Sequence, residues 1–424
     1  MRSVAAYVRS LDPRLPGVVW VLQGGGLVNS FGNGLVLPFL IIYLHNVRGV
    51  PLGLAGLIAA TNSAAALVTG FVAGSLADRI GPRQVLIAAL CVMAAAISAF
   101  PLIRSAWHAF ALSLALGAGS GAFWPSQSSL LSGLTPRDRR HRAFAIQRVT
   151  MNLGVALGGV AGGAIASSSH PHTFTILFLL DAATFLGYVL VLFRLRSPDL
   201  DPEREAGSYR QVVENRAFVA YIGLNALFIA ASMAVVVELL PPFAKNQAGV
   251  NEFGIGILWF VNAIAVVVLQ LPVAKLTEGK RRMHGLALMG VIWAAVMLGV
   301  GASGYWLSAT AATIALAGTA LVFAVGECLH GAIHVPLAAD LAPSRLIGRY
   351  MAFSSQSWQI GWIVGPAVGG FILQHKPYGL WPIAAAANLV AAGWALALER
   401  RLPREVQRTP ASAGAAGLPA RASG

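Results

Sequence analysis

Gly74-Ser-Leu-Ala-Asp78-Arg79-Ile-Gly81-Pro82-Arg83 is a short charged stretch set between two apolar runs, 52–77 and 84–103. Gly81-Pro82 marks a tight turn, so the two runs are expected to double back on each other as antiparallel helices. Gly74 permits close helix approach, and the Asp78 carboxylate can pair with Arg79 or Arg83 or cap a helix N-terminus. Each flanking run is long enough for a bilayer, which takes about 20 apolar residues. The stretch therefore reads as the connection between two membrane spans.

Runs of the same kind continue on both sides. The first six cover 17–44, 52–77, 84–103, 107–134, 143–169 and 173–193; the second six cover 217–244, 253–274, 284–303, 306–339, 350–374 and 378–398. Of the 424 residues, 57% are hydrophobic and 11% charged, with a mean hydropathy of +0.70. Soluble domains carry about 25% charged residues, so an ordinary soluble enzyme is excluded. The expected fold is an all-α membrane protein of twelve transmembrane helices in two six-helix bundles.

The formal net charge of +14 raises the question of nucleic acid. Nucleic-acid binding needs the cations gathered on one face, whereas here they fall between apolar runs. Alternate loops hold 25 of the 30 cations, and the other loops hold four: Arg48, Arg104, Lys245 and Lys376. Positive residues are retained on the cytoplasmic side, which places both termini there and makes this a multi-pass protein of a bacterial-type cytoplasmic (inner) membrane. The first run is expected to stay as a helix, because it is longer than a signal-peptide core and lacks a small-residue cleavage site. Cys91 and Cys328 both lie in apolar runs and suggest no disulfide framework.

A shift of 207 positions superimposes the halves. Arg142-Ala-Phe-Ala falls on Arg349-Tyr-Met-Ala, Pro136 on Pro343, Gly154 on Gly361, Gly158 on Gly365, and Gly162-Gly163 on Gly369-Gly370. The division follows: 1–196 as an N-terminal bundle, 197–215 as a cytoplasmic linker, 216–400 as a C-terminal bundle, and 401–424 as a cytoplasmic, disordered tail. Parallel repeats of six spans imply a binding site between them near the membrane midplane. The glycine rows let helices approach closely, and their place on the fifth span of each half suggests the meeting of the halves as well as local packing.

The 74–83 stretch resembles the loop motif of the major facilitator superfamily, GxLADRxGxR, at every defined position, and within it the chain looks most like twelve-span drug:proton antiporters. The resemblance implies a conformational latch of Gly74, Asp78, Arg79, Gly81 and Arg83 that does not touch substrate. Simple retention of positive charge also accounts for the two arginines. In the second half, Lys275-Leu-Thr-Glu-Gly-Lys-Arg-Arg282 keeps an acid and a basic cluster without the glycines. The antiporters' GxxxGPxxGG signature is complete in Gly361-Trp-Ile-Val-Gly365-Pro366-Ala-Val-Gly-Gly370, whereas the fifth span has Gly159 at the proline's position. The arginine usual in span four is missing, and Arg148 can stand in for it.

Charge deep in a bilayer costs several kcal/mol unless it meets a partner or a wet cavity, so intramembrane acids are functional candidates. Three exist: Asp181, Glu238 and Glu327. Glu327 lies near mid-span with His330 and His334 at i+3 and i+7, which suits a proton carrier, a structural polar cluster or three ligands of a transition metal. Asp181 and Glu238 are further coupling candidates, with a structural hydrogen bond and an interfacial acid as their plain readings. The substrate cavity is assigned Asn29, Asn33, Arg148, Asn152, Trp124 and Trp358; helix packing accounts for the amides and aromatics nearly as well. No GxxxxGK[ST] loop provides an ATP site, and no HExxH pattern provides a metalloenzyme. The expectation is a monomeric secondary transporter rather than an enzyme, without cofactor or resident metal. Its partners are protons, membrane lipid and a lipophilic or amphipathic small molecule, moved outward by alternating access. An importer, a divalent-metal carrier using Glu327, His330 and His334, and a membrane sensor without transport are the rivals.

Overall fold

The computed structural model describes residues 15–136, 139–195, 210–343 and 346–409. Twelve long helices account for almost all of them: α1 Gly17–Val47, α2 Leu52–Ile80, α3 Pro82–Ala99, α4 Ala106–Leu134, α5 Arg140–Ile165, α6 His172–Phe193, α7 Arg216–Asn246, α8 Glu252–Thr277, α9 Arg282–Trp306, α10 Ala309–Asp340, α11 Ile347–His375 and α12 Leu380–Glu399. Among the described residues, nine are long and apolar enough to cross a membrane by length and composition alone. The remaining three, α4, α5 and α11, are the glycine- and serine-rich ones.

Helix ends follow local chemistry. Gly81 adopts φ +94°, a conformation open to glycine, and Pro82 starts α3 immediately after it. Asn215 caps α7 through Phe218 N at 3.1 Å, and Asn251 caps α8 through Gly254 N at 2.8 Å. Five residues of α7, Ile229–Met233, are wound as a π turn.

The start of α1 and the end of α12 lie on one face of the bundle, the terminal face; the 1–2, 3–4, 5–6, 7–8, 9–10 and 11–12 connections lie on the far face. Half of the repeat becomes visible only in three dimensions, at a shift of 200 rather than 207. Gly49 and Gly249 take φ +68° and +66°, followed by Val50 N donating to Leu44 O and Val250 N to Ala244 O, each at 2.9 Å. Tyr43 packs edge-on against Phe178 at 4.8 Å, and its counterpart Phe243 against Trp381 at 4.8 Å. The offset grows because α9 and α10 are longer than α3 and α4.

Lipid is as apolar as leucine, so close packing rather than burial holds such helices together. The fifth and eleventh spans carry two glycine rows each, and only one row joins the halves. Gly154, Gly158 and Gly162 lie against α1 within their own half, where a Cβ on Gly154 would come 2.7 Å from Leu27 O. Gly361 and Gly365 lie likewise against Ile229, Ala230 and Ala234 of α7. The expectation that Gly154, Gly158, Gly361 and Gly365 mark the meeting of the halves is corrected here, since a helix at the boundary needs a tight face toward each neighbour. The joining row is one position further round. Gly256 of α8 sits against Gly159 and Val160, and Gly163 against Glu252 and Gly256. At the symmetry-related crossing, Gly56 of α2 faces Pro366 and Gly370, so Pro366 does lie between the halves.

Polar contacts fasten the same face. Asn46 Nδ2 donates to Asn246 Oδ1 at 2.7 Å, joining two equivalent positions. Gly53 N donates to Gln374 Oε1 at 2.8 Å. Glu252 Oε1 accepts from Ser168 N at 2.8 Å, Ser168 Oγ at 2.7 Å and Lys245 Nζ at 2.7 Å.

Two expectations about the connecting chain change. Arg210–Glu214, expected as linker, forms a short helix that leads into the Asn215 cap; 196–209 lies outside the described residues. The start of the expected disordered tail is ordered. Arg282 N donates to Gln407 O at 2.8 Å, Gly279 N to Thr409 O and Thr409 N to Lys280 O at 3.0 Å each, and Gln407 Nε2 holds Leu402 O at 3.0 Å. These bonds satisfy main chain that the 8–9 connection would otherwise leave to water. Residues 410–424 lie outside the described residues.

Candidate substrate and coupling site

Glu327 projects from the middle of α10 toward α8, where Asn262 Nδ2 donates to its Oε2 at 2.6 Å and also reaches Ala320 O at 3.4 Å. The carboxyl sits at the wall of a cavity of about 60 Å³ between α7, α8, α9 and α10, lined by Val237, Leu258, Trp259, Phe323 and others of the same apolar character. Asn262 and Glu327 are its ionisable or amide members. Arg148 enters from the opposite half: a Cβ on Gly331 would lie 2.8 Å from its Nη2. Gly331 is one turn from Glu327 on α10. An acid, its amide donor and a cation from the other bundle thus meet beside an apolar recess.

The two histidines turn elsewhere. His330 Nε2 meets Asn225 Oδ1 at 2.7 Å, and Asn225 Nδ2 donates to Ser357 Oγ at 2.7 Å. His334 Nδ1 meets the Tyr221 hydroxyl at 2.7 Å and its Nε2 meets Ser354 Oγ at 3.1 Å. Their rings stack at 4.8 Å, with Trp358 edge-on to His330 at 5.3 Å. This is a satisfied network inside the C-terminal bundle, linking α7, α10 and α11. Among the described residues no group of three His, Cys, Asp or Glu side chains converges as metal ligands. The metal-carrier geometry expected of Glu327, His330 and His334 is therefore corrected: rotation and rise along α10 send the carboxyl to α8 and the imidazoles to α7 and α11.

The other candidates are dispersed. Asp181 is buried in the N-terminal bundle against Gly32 of α1, where a Cβ would come 2.5 Å from its Oδ1, and Thr184 Oγ1 lies 3.4 Å from that oxygen. Glu238 is half-buried on α7, and its Oε2 is enclosed without a hydrogen-bond partner. Asn29 is buried with Oδ1 also unpaired, as are Gln270 Oε1 and Gln356 Oε1. An unmet buried acceptor costs about 1–3 kcal/mol. Asn33, Asn152 and Trp358 are half-buried, while Trp124 is 46% exposed and edge-on to Phe123.

At the motif loop, Gly74 and Gly81 occupy the end of α2 and its turn, and Arg79 is exposed there. Arg83 donates from Nε to Leu192 O at 2.8 Å and from Nη2 to Phe193 O at 3.1 Å, so it caps the end of α6. The side chain of Asp78 lies outside what the structure describes. Sequence reasoning missed Asn262, Tyr221, Asn225, Ser354 and Ser357. A polar residue once per turn on an apolar span was the available signal.

Twelve helices in two repeated bundles, fastened at one face around intramembrane acids, define a multi-pass membrane transporter. The profile of the Major Facilitator Superfamily matches residues 24–326 and 222–422, and the chain belongs to that superfamily. An uncharacterized transporter of this type from Bacillus subtilis (strain 168), YhjO, is 27% identical over 407 residues, covering 94% of this chain and 98% of its own. The multidrug resistance protein MdtH of Salmonella typhimurium (strain LT2) is 24% identical over 349 residues, covering 80% and 83%. The crystal structure of a nucleoside transporter, NupG, superimposes with a TM-score of 0.78 at 12% identity, covering 90% of this chain and all of that one, which speaks for the fold alone.

Proposed function

We propose that this transporter expels lipophilic or amphipathic small molecules from a bacterial cytoplasm in exchange for protons, with Glu327 as the proton carrier. The observation that carries the reading is the Glu327 carboxyl, held by Asn262 at 2.6 Å beside an apolar recess with Arg148 reaching toward it from the other half. A carboxyl so placed binds a proton or a cationic group in turn, and Arg148 is a built-in competitor whose distance changes as the halves move. Trp259 and Phe323 supply surface for an apolar solute. The likeness to MdtH, a multidrug resistance protein, supports export.

The distribution of cations supports a cytoplasmic terminal face. The fastened far face then corresponds to a state closed to the outside. The Asp78 latch belongs to the opposite state, so Asp78→Asn should cripple transport while leaving binding intact. The test is uptake of a fluorescent amphiphilic dye into everted vesicles. An inside-acid gradient should drive accumulation, and collapse of the gradient should end it. Accumulation driven equally well without a gradient would sink the proton-coupled reading.

A further inference from the structure

We infer that the far face of the N-terminal bundle carries a binding site for the phosphodiester headgroup of an anionic phospholipid, in a cleft between the 1–2 and 3–4 connections. The cleft, of about 380 Å³, is lined by Val47 to Pro51, Leu54 and Ile103 to Ala106. Two of the four cations in the far-face connections, Arg48 and Arg104, converge on it, and no acid is among its lining residues. Arg48 is held by uncharged partners: Nε donates to the Tyr43 hydroxyl at 2.6 Å, Nη2 donates to Pro101 O, and the guanidinium lies 5.3 Å from the Tyr43 ring centroid. Arg104 is exposed, and its main-chain N–H is turned toward His108 Nδ1 at 3.4 Å. Lys245, by contrast, is neutralised by Glu252.

The cleft therefore holds two positive charges with no counter-charge built in, and the starts of α2 and α4 add their positive ends. Neither Pro51 nor Ser105 supplies a side-chain cap there. Inorganic phosphate has the same anionic chemistry as a headgroup. The surroundings favour the lipid: beside the cleft Leu102 is 73% exposed and Trp107 81% exposed, the latter at 5.9 Å from the Phe110 ring. Large apolar and indole surfaces at the end of a span belong to the membrane interface, where acyl chains and headgroups lie. A headgroup seated between Arg48 and Arg104 places its chains along Leu102 and Trp107.

The test is native mass spectrometry of the full-length protein titrated with phosphatidylglycerol, with phosphatidylcholine, and with inorganic phosphate. Wild type should retain phosphatidylglycerol over phosphatidylcholine. Arg104→Ala should lower that affinity about fivefold, the effect expected of one surface cation on an anionic lipid. Arg104→Lys should keep most of it, and Lys376→Ala, a far-face cation outside the cleft, should leave it unchanged. Arg104 is exposed, so thermal unfolding should be the same in all variants. Equal retention of the two lipids, unchanged affinity in Arg104→Ala, or phosphate competing as well as phosphatidylglycerol would each overturn the inference.

Discussion

The two crossings that join the halves differ at a few residues. In both, the fifth residue of the entering helix is a glycine, Gly56 or Gly256, that sits against the backbone of the eleventh or fifth span respectively. At the α2–α11 crossing the facing residue is Pro366, and the polar fastener is an uncharged amide, Gln374 on Gly53 N. At the α5–α8 crossing the facing residue is Gly159, packed on Trp259, and the fastener is a carboxylate with three donors, Glu252. The difference teaches how the pair divides its labour. Without a proline, α5 keeps the backbone hydrogen bond that Pro366 removes from α11, and its crossing is fastened by charge-assisted bonds, roughly twice as strong as neutral ones. The α5–α8 crossing is also the one beside the coupling site, since Trp259 both packs on Gly159 and lines the recess of Glu327.

The comparison is broken most severely by filling either crossing. A Cβ on Gly56 collides with Pro366 O, and one on Gly256 comes 2.5 Å from Gly159 O. Gly56→Val and Gly256→Val should each cut dye transport by more than about tenfold, since an overpacking cost of about 2 kcal/mol or more outweighs a balanced two-state equilibrium. Paired cysteines at positions 46 and 246 should at the same time lose their crosslink. A silent Gly256→Val beside a crippling Gly56→Val would end the equivalence of the crossings.

Removing one fastener is milder and should be unequal. Glu252→Gln loses charge-assisted bonds of about 1.5–3 kcal/mol, whereas Gln374→Ala loses a neutral one of about 0.5–1.5 kcal/mol. Both favour the state open at the far face. Accessibility of Asn246→Cys to a membrane-impermeant thiol reagent should rise more in Glu252→Gln. The reverse order would remove the charge argument. Pro366→Ala should have the smallest effect, a change in turnover of about fivefold or less with affinity preserved, corresponding to roughly 1 kcal/mol on the switching barrier. Loss of affinity without loss of turnover would place Pro366 at the substrate rather than at the hinge.

The fold was open to reading because a span declares itself in some twenty residues, and α4, α5 and α11 kept enough apolar length to be counted despite their glycines and serines. The repeat was half hidden, since one shift cannot serve both Gly49/Gly249 and Gly158/Gly365 when helices between them differ in length. The site was harder. Glu327 could be singled out by its depth, yet helical spacing alone put His330 and His334 with it. Which neighbour each side chain addresses depends on how α10 is turned against α7, α8 and α11, and no local pattern encodes that. Asn262 carried no sequence signal beyond being an amide in an apolar span; its meaning comes from the 2.6 Å contact.

Glu327→Gln tests the account most directly, because glutamine keeps the size of the protonated acid and removes its titration. Binding of an amphiphilic dye to purified wild type and variant should be followed by fluorescence anisotropy across pH 5–9, alongside transport in proteoliposomes under an imposed pH gradient. Wild-type affinity should vary with pH, while the variant binds dye with a pH-independent affinity and shows no gradient-driven transport. A variant whose affinity keeps the wild-type pH dependence, or that still transports on the gradient, would contradict the assignment and move the coupling acid to Asp181 or Glu238.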